Sequence, residues 1–591
     1  MPSAPFTIGE LLEERGRAPE TRDRPMLRGP RGAVVTYAEF LARSSRVAHA
    51  LRDRARSIDG APRVAALLRN HPEFLDLYGG AALSGTVVCG INTGLGGDVL
   101  RRVLDASRAT SLVVDRQGAE AVEPLLGQLT HLRREDVLEI GAGRSFQAAV
   151  DEAARRHGAA ADDPPEVPGL DLSSPFAVIY TSGTTGLPKG IVNSHKKLRG
   201  IGMFVAGMVG LRPEDVGYLS MPLFHSNALF LGWFPALQAG ASVAMREKFS
   251  ASGFLDDVRE RGITYWNFVG QPVHYVLEAI ARAHGGDVER VRREVRDDPR
   301  NTLRLVIGTG ATGTDRRRLI DWLGLEHAYE NYGSTEAEIS TWCMPGDPID
   351  SVGEALDPDI LVVDDRDEPC EPLELDERGI PTNADRAVGE IVRRGVSGRF
   401  EGYDGNPEAT AGKVRDGLYR SGDLGALRQL GTSRYLYFFG RTDDWIRKDG
   451  ENFSAESVVE LVTAFPAVDR AAAYGVPHPV SDEWVMAAVR LREGQRFDPQ
   501  AFFAHCEGEV QAGRDRKWFP DFVRVVEDFP WTETLKIKVR ELKAAAYDPA
   551  RVQRIFYRRR GGDRFEPFGP PEYAALAAEL EQNGRAGLLP R

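Results

Sequence analysis

Short apolar runs recur at residues 64–68, 112–114, 176–180, 243–245 and 303–307, each separated from the next by a stretch long enough for a helix. Two strands pair in parallel only if the chain crosses back over the sheet, which takes a dozen or more residues and is usually done by a helix. The class this predicts is α/β, with a large N-terminal domain of mostly parallel sheets flanked by helices. The pattern changes after Gly440, where residues 455–462 read as helix and 470–474 and 484–491 as strands in close succession. A chain of 591 residues is too long for one core. The expected division is residues 1–440, then a small α+β domain of residues 441–591, with the joint at 441–444.

The run 176–180 empties directly into a loop rich in glycine and hydroxyls. Gly183, Gly186 and Gly190 let the backbone turn tightly, Thr181, Ser182, Thr184 and Thr185 bring hydroxyls beside the backbone N–H groups, and Lys189 adds a cation on a long stem. That is the build of a phosphate cradle. It is not the Walker arrangement, which needs Gly-Lys followed by Ser or Thr at a helix start; here Pro188 precedes the lysine and Gly190 follows it. Gly308, Gly310 and Gly313, directly after the run 303–307, also satisfy the dinucleotide fingerprint as a pattern, although that pattern alone is weak.

A net charge of −12 argues against a nucleic-acid binder, because phosphate backbones select for basic surfaces. Cys89, Cys343, Cys370 and Cys506 are far apart, with no zinc or disulfide spacing, which fits a reducing cytoplasm. The most apolar stretch, 228–237, is half the length that spans a bilayer and contains Pro235, so it is read as core or pocket wall and no transmembrane segment is expected.

The order of residues in 180–190 resembles the signature loop of the adenylate-forming enzymes, the superfamily of acyl-CoA synthetases, peptide-synthetase adenylation domains and luciferases. Four further motifs follow in that family's order. Residues 332–336 are Tyr332, Gly333, Ser334, Thr335 and Glu336; the resemblance implies that the tyrosine stacks on adenine, the threonine meets the α-phosphate and the glutamate, with Thr184, holds Mg²⁺. Asp423, read as part of a turn at 419–425, is implied to bind the ribose hydroxyls with Arg441. Asp443 matches the hinge, and Gly450 the position where the pantetheine arm of coenzyme A passes. Lys536 matches the lysine that neutralises charge during adenylation, although Leu535 stands where the family usually has glycine; Lys538 is the competing assignment. In this light the segment 308–313 is the loop against adenine, through Gly310 and Ala311, rather than a nicotinamide site.

The departure at Leu535, with residues 70–74, 90–95, 268–275 and 547–550, is similar to the fatty acid transport protein and very-long-chain acyl-CoA synthetase branch. The acid pocket of that family lies near His225, Asn227, Trp266, Asn267, Gln271, His274, Gly308 and Glu338, with His225 as a gate. The polar groups in this set suggest a polar or aromatic acid, since an alkyl tunnel would bury them unpaired at about 1–3 kcal/mol each. The expected enzyme is an AMP-forming ligase using ATP, Mg²⁺ and coenzyme A on a carboxylic acid. Its alternatives are a diazotase that adenylates nitrite and acts on an aromatic amine without coenzyme A, and a catalytically silent lipid-binding protein. The five residues Lys189, Glu336, Asp423, Arg441 and Lys536 argue against the silent reading. Self-association into a homodimer is left open.

Overall fold

The computed structural model describes all residues except 1–6, 30–32, 57, 59, 142–144, 182–187, 378, 380, 442–444, 449–450, 481–482, 513, 533–535, 560–561, 584 and 589–591, and the backbone alone at 445, 451, 452 and 586. The phosphate loop from Ser182 to Gly186, the hinge candidate Asp443, and Gly450 therefore lie outside the described residues. The chain forms two compact units, residues 1–353 with 396–416, and residues 354–395 with 417–591. The joint expected at 441–444 falls inside the second unit.

The first unit contains two sheets. In one, the strands run in the order Ser340–Cys343, His327–Gly333, Leu305–Thr309, Tyr265–Val269, Val216–Leu219, Ser242–Met245, Pro25–Arg28 and Val34–Thr36. Its pairs are parallel except at the two ends, where hairpins close it. In the other, the order is Val137–Glu139, Ser111–Val114, Arg63–Leu67, Val87–Gly90, Pro175–Thr181 and Lys189–Ser194, parallel but for the last pair. The strands read as unbroken apolar runs because both faces are covered: 64–67, 87–90 and 111–114 are buried at every position. The stretch 228–237 is core, a π-helical turn Ala228–Trp233 running into the helix Phe234–Ala239. Among the described residues no helix is long and apolar enough to cross a membrane.

The second unit begins with an antiparallel sheet of Ile360–Val363, Gly389–Arg394, Leu418–Leu430 and Ser433–Arg441. Asp423 was expected on a turn; it lies inside the 13-residue strand Leu418–Leu430. Asp423 pairs with Arg441 on one side, while on the other the ladder skips from Arg420 to Leu424 and side chains hold the skipped backbone, Glu390 accepting from Gly422 N–H and Ser421 Oγ from Asp423 N–H, so the turn formers Ser421, Gly422 and Asp423 are carried as an irregularity within the strand. The turn signal survives as a local irregularity, with Gly422 at φ 79° and a bulge between Leu424 and Gly425. Beyond it, a mixed sheet of Val468–Pro477, Glu483–Leu491, Phe522–Val526, Ile555–Arg558 and Phe565–Phe568 packs against the helices Ala455–Thr463 and Pro499–Gln511.

Candidate active site

In the first unit the candidate residues gather around the turn between the strands His327–Gly333 and Ser340–Cys343. Thr335 and Glu336 are buried on this turn, and Ala337 takes the left-handed conformation at φ 63°, a sparsely populated region for a residue with a Cβ. The Glu336 carboxylate accepts a hydrogen bond from the Tyr403 hydroxyl at 2.8 Å. The Thr335 hydroxyl donates to Ser226 Oγ at 3.0 Å, which ties the turn to the segment carrying His225 and Asn227. Tyr332 lies at the end of its strand, opposite Thr341.

Tyr403 was not singled out from sequence, and long-range pairing is what positions it. Residues 402–404 lie along the edge strand Lys189–Ser194: Val192 N–H donates to Gly402 O at 3.2 Å and Asp404 N–H to Gly190 O at 2.8 Å. On one side of Tyr403, Glu401 accepts from the backbone N–H and hydroxyl of Ser194. On the other, the buried Asp404 carboxylate takes a bidentate pair from Arg63, at 2.6 and 2.9 Å, and a third bond from Arg108 at 2.8 Å. The Lys189 ammonium sits 5.1 Å from the Tyr403 ring centroid, within cation–π range. One tyrosine thus contacts the expected phosphate-binding lysine with its ring and the expected metal-binding glutamate with its hydroxyl.

The loop after strand Leu305–Thr309 is held by a second residue missed from sequence. Glu330, on the neighbouring strand, accepts from the backbone N–H of both Gly310 and Ala311. Burial pushes its carboxyl up to about 8, against the lowering effect of Arg316 and those two donors. Gly310 has φ 83°, and a Cβ on Gly270 would lie 1.7 Å from Gly310 O, so two backbones touch here with no room for a side chain. Gly308 is part of the strand, packed on Phe268.

Of the polar side chains expected around the acid, some bond one another or the backbone, while Asn267 Oδ1 and Gln271 Oε1 are buried without a hydrogen-bond partner among the described residues. Asn267 Nδ2 donates to Asn227 Oδ1 at 2.8 Å, and Asn227 Nδ2 to Phe268 O at 2.9 Å. The Glu338 carboxylate accepts from the backbone N–H of Ser397 and Phe400. Trp266 lies wholly inside an aromatic cluster with Phe249, Phe254 and Phe268, its indole N–H donating to Ser220 Oγ. His274 pairs with Asp315 at 3.5 Å, His225 Nδ1 accepts from Asn227 N–H, and Gln271 opens the helix Gly270–Ala283.

In the second unit Asp423 and Arg441 are register partners on adjacent strands, Arg441 Nε standing 3.7 Å from Asp423 Oδ1. Lys536 is exposed at the surface, yet desolvation by the protein around its ammonium and then the Arg441 charge lower its pKa, with Asp423 acting the other way. Lys538 instead forms an ion pair with Glu541 at 3.2 Å. The structure therefore brings Lys536 under the influence of the two expected ribose-binding residues and turns Lys538 to a local partner.

In sequence, residues 15–403 match the family of AMP-binding enzymes, and residues 458–536 match the AMP-binding enzyme C-terminal domain. Steroid-22-oyl-CoA synthetase of Rhodococcus jostii is 36% identical over 538 residues, covering 90% of each chain. The medium/long-chain-fatty-acid–CoA ligase FadD17 of Mycobacterium marinum is 33% identical over 518 residues, 87% of this chain and 92% of the relative. The crystal structure of ATP-bound MatB from Rhodopseudomonas palustris superposes with a TM-score of 0.74 at 24% identity, covering 92% of this chain and 99% of that one, and so shares the fold.

Proposed function

The chain belongs to the AMP-binding enzyme family, on its acyl-CoA synthetase and fatty acid transport protein branch, and we propose that this AMP-forming ligase converts an apolar carboxylic acid to its CoA thioester through an acyl-adenylate. The observation that carries the reading is the Lys189–Tyr403–Glu336 contact, which sets a cation and a buried carboxylate on one ring beside the expected phosphate loop. A carboxylate with one oxygen fixed by a neutral hydroxyl suits a hard divalent ion, so Glu336 fits Mg²⁺. Bound there, the ion would neutralise phosphate charge. Thr335 would meet the α-phosphate, and Asp423 with Arg441 the ribose. Lys536 would offset charge as a carboxylate oxygen attacks the α-phosphorus and the bond to pyrophosphate breaks. In the second half-reaction the CoA thiol attacks the acyl carbonyl and AMP leaves. A rotation of the segment 441–591 about the expected joint would present Lys536 for the first half-reaction and Gly450 for the second.

An apolar acid is favoured over a polar one because most of the polar groups that suggested the latter are engaged, Asn267 Oδ1 and Gln271 Oε1 excepted. Asn227 and Asn267 bond each other, and Glu338 holds the backbone at Ser397 and Phe400. The neighbouring π-helical turn Ala228–Trp233 is apolar and buried throughout. Relatives named for steroid and fatty acids agree with this. The test is ATP-dependent pyrophosphate release across medium- and long-chain fatty acids, a steroid side-chain acid, benzoate, anthranilate, and nitrite with an aromatic amine, with and without coenzyme A. Expected is the highest kcat/KM on an apolar acid, with thioester formed only when coenzyme A is present. A preference for benzoates, or turnover with nitrite that ignores coenzyme A, overturns the proposal.

A further inference from the structure

Lys197 is a charged side chain in the first unit that no motif accounts for, and it is only 8% exposed. It lies in the first turn of the helix His195–Met208, whose N-cap Ser194 is itself held by Glu401. From there its ammonium reaches across to the opposite sheet and donates to two successive carbonyls, Thr335 O at 3.0 Å and Glu336 O at 3.3 Å. Burial lowers its pKa to about 8, and the surrounding carboxylates Glu401, Glu336 and Glu338 act in the other direction.

A buried ammonium is costly unless its charge is compensated and its protons are bonded. Here the bonds go to the backbone of one turn, and three carboxylates, Glu401, Glu336 and Glu338, offset part of the burial cost. That turn carries Thr335 and Glu336 and contains the left-handed Ala337, so its shape is held against local preference. Two charge-assisted bonds to adjacent carbonyls fix both peptide planes, and with them the directions in which the Thr335 and Glu336 side chains leave the backbone. Tyr403 then orients the Glu336 carboxylate at its far end.

We propose that Lys197 is a positioning residue for nucleotide binding: its ammonium is the strut that holds the Thr335–Glu336 turn in the geometry that receives Mg²⁺·ATP. The inference rests on the adenylating function proposed above. It assigns Lys197 no contact with substrate; the residue acts through the turn.

The test compares wild type with Lys197→Met, Lys197→Gln and Lys197→Arg. One readout is binding of Mg²⁺ with a non-hydrolysable ATP analogue, by calorimetric titration and by the rise in Tm on ligand addition; the other is steady-state pyrophosphate release. Supporting residues around a metal site typically change affinity by about 10- to 100-fold. Lys197→Met and Lys197→Gln should therefore weaken analogue binding and raise both KM for ATP and the Mg²⁺ half-saturation by about that factor, with KM for the acid within about threefold. Lys197→Arg, which keeps the cation and its donors, should recover most of the loss. Unchanged nucleotide and Mg²⁺ dependence in a folded Met or Gln variant overturns the proposal, as does an equal rise in KM for the acid. If neither variant folds, the lysine is a keystone of the whole unit and the proposal falls. Wild-type protein that binds the analogue but activates no acid would instead defeat the functional reading and leave the binding comparison to judge Lys197.

Discussion

Replacing Tyr403 by Phe removes one hydroxyl and keeps the ring, so it separates the two contacts this residue makes. The ring, and with it the approach of Lys189 at 5.1 Å, is retained. What disappears is the 2.8 Å bond to the Glu336 carboxylate, whose residue is 8% exposed and has little water to replace the lost donor. Hydrogen bonds to charged groups contribute about 1.5–3 kcal/mol, and at ~1.4 kcal/mol per decade this is about 10- to 100-fold. We expect Tyr403→Phe to raise KM for Mg²⁺·ATP in pyrophosphate release by a factor in that range, with KM for the acid nearly unchanged. Tyr403→Leu should lose about 2- to 30-fold more, the equivalent of a cation–π contact of about 0.5–2 kcal/mol. The decisive control is a double-mutant cycle: in a Glu336→Ala background, Tyr403→Phe should have almost no further effect, because the hydroxyl acts through the carboxylate. Additive losses in that cycle, or a Tyr403→Phe enzyme within twofold of wild type, would refute the reasoning.

Three further outcomes follow from the same geometry. Lys536→Ala should lower adenylation by about 10²–10³, the loss for one preorganised electrostatic donor, while thioester formation from presynthesised acyl-AMP is retained; Lys538→Ala, which breaks only the pair with Glu541, should stay within about threefold. Gly270→Ala should destabilise by at least about 1–3 kcal/mol in chemical denaturation and raise KM for ATP, because its Cβ would lie 1.7 Å from Gly310 O and push the loop away. His195 is wholly buried with Nδ1 accepting from Ile8 N–H at 3.2 Å, and burial lowers its pKa from 6.5 to about 4. Between those values the unfolded chain binds a proton that the folded one does not, so stability should fall by about 3 kcal/mol as pH drops from about 6.5 to about 4, and His195→Gln should flatten that slope in urea melts.

The parallel sheets were legible because covered strands leave apolar runs, and the family because its motifs restrict residue types locally. Asp423 was placed on a turn for the same local reason: Ser421, Gly422 and Asp423 are turn formers, and nothing in a short window reveals that the long strand Leu418–Leu430 will carry them as an irregularity between its paired parts. Tyr403, Lys197 and Glu330 were invisible for a different reason. Each acts on residues 19 to 139 positions away, and in sequence they are an aromatic in a glycine-rich turn, one of two adjacent lysines at a helix start, and a carboxylate in a strand. The expected pocket differs again. Asn227, Asn267 and Glu338 were noticed for their polarity, but their partners, one another and the backbone at 397 and 400, appear only after folding.

The segment 401–404 shows why such long-range residues matter to an enzyme of this kind. The strands flanking the expected phosphate loop belong to the six-stranded sheet and those flanking the Thr335–Glu336 turn to the eight-stranded one, so any slippage between the sheets would separate the groups proposed to meet one polyphosphate. Asp404 anchors the segment in the six-stranded sheet through Arg63, and through Arg108 on the helix leading to its next strand; Glu401 anchors it to the helix that follows that sheet's edge strand. Tyr403, between those anchors, and Lys197, on that same helix, then reach the turn of the other sheet from two directions, one at the carboxylate and one at the carbonyls. Cutting the anchor should therefore be felt at the nucleotide. In Asp404→Ala, Arg63 and Arg108 lose their shared buried partner, a disruption worth about 3–5 kcal/mol when a buried charge is left uncompensated. If the segment is a clamp, a variant that still folds at low temperature should show the raised KM for Mg²⁺·ATP of Tyr403→Phe in addition to its lower stability. Loss of stability with an unchanged KM would mean that Tyr403 finds Glu336 without the anchor.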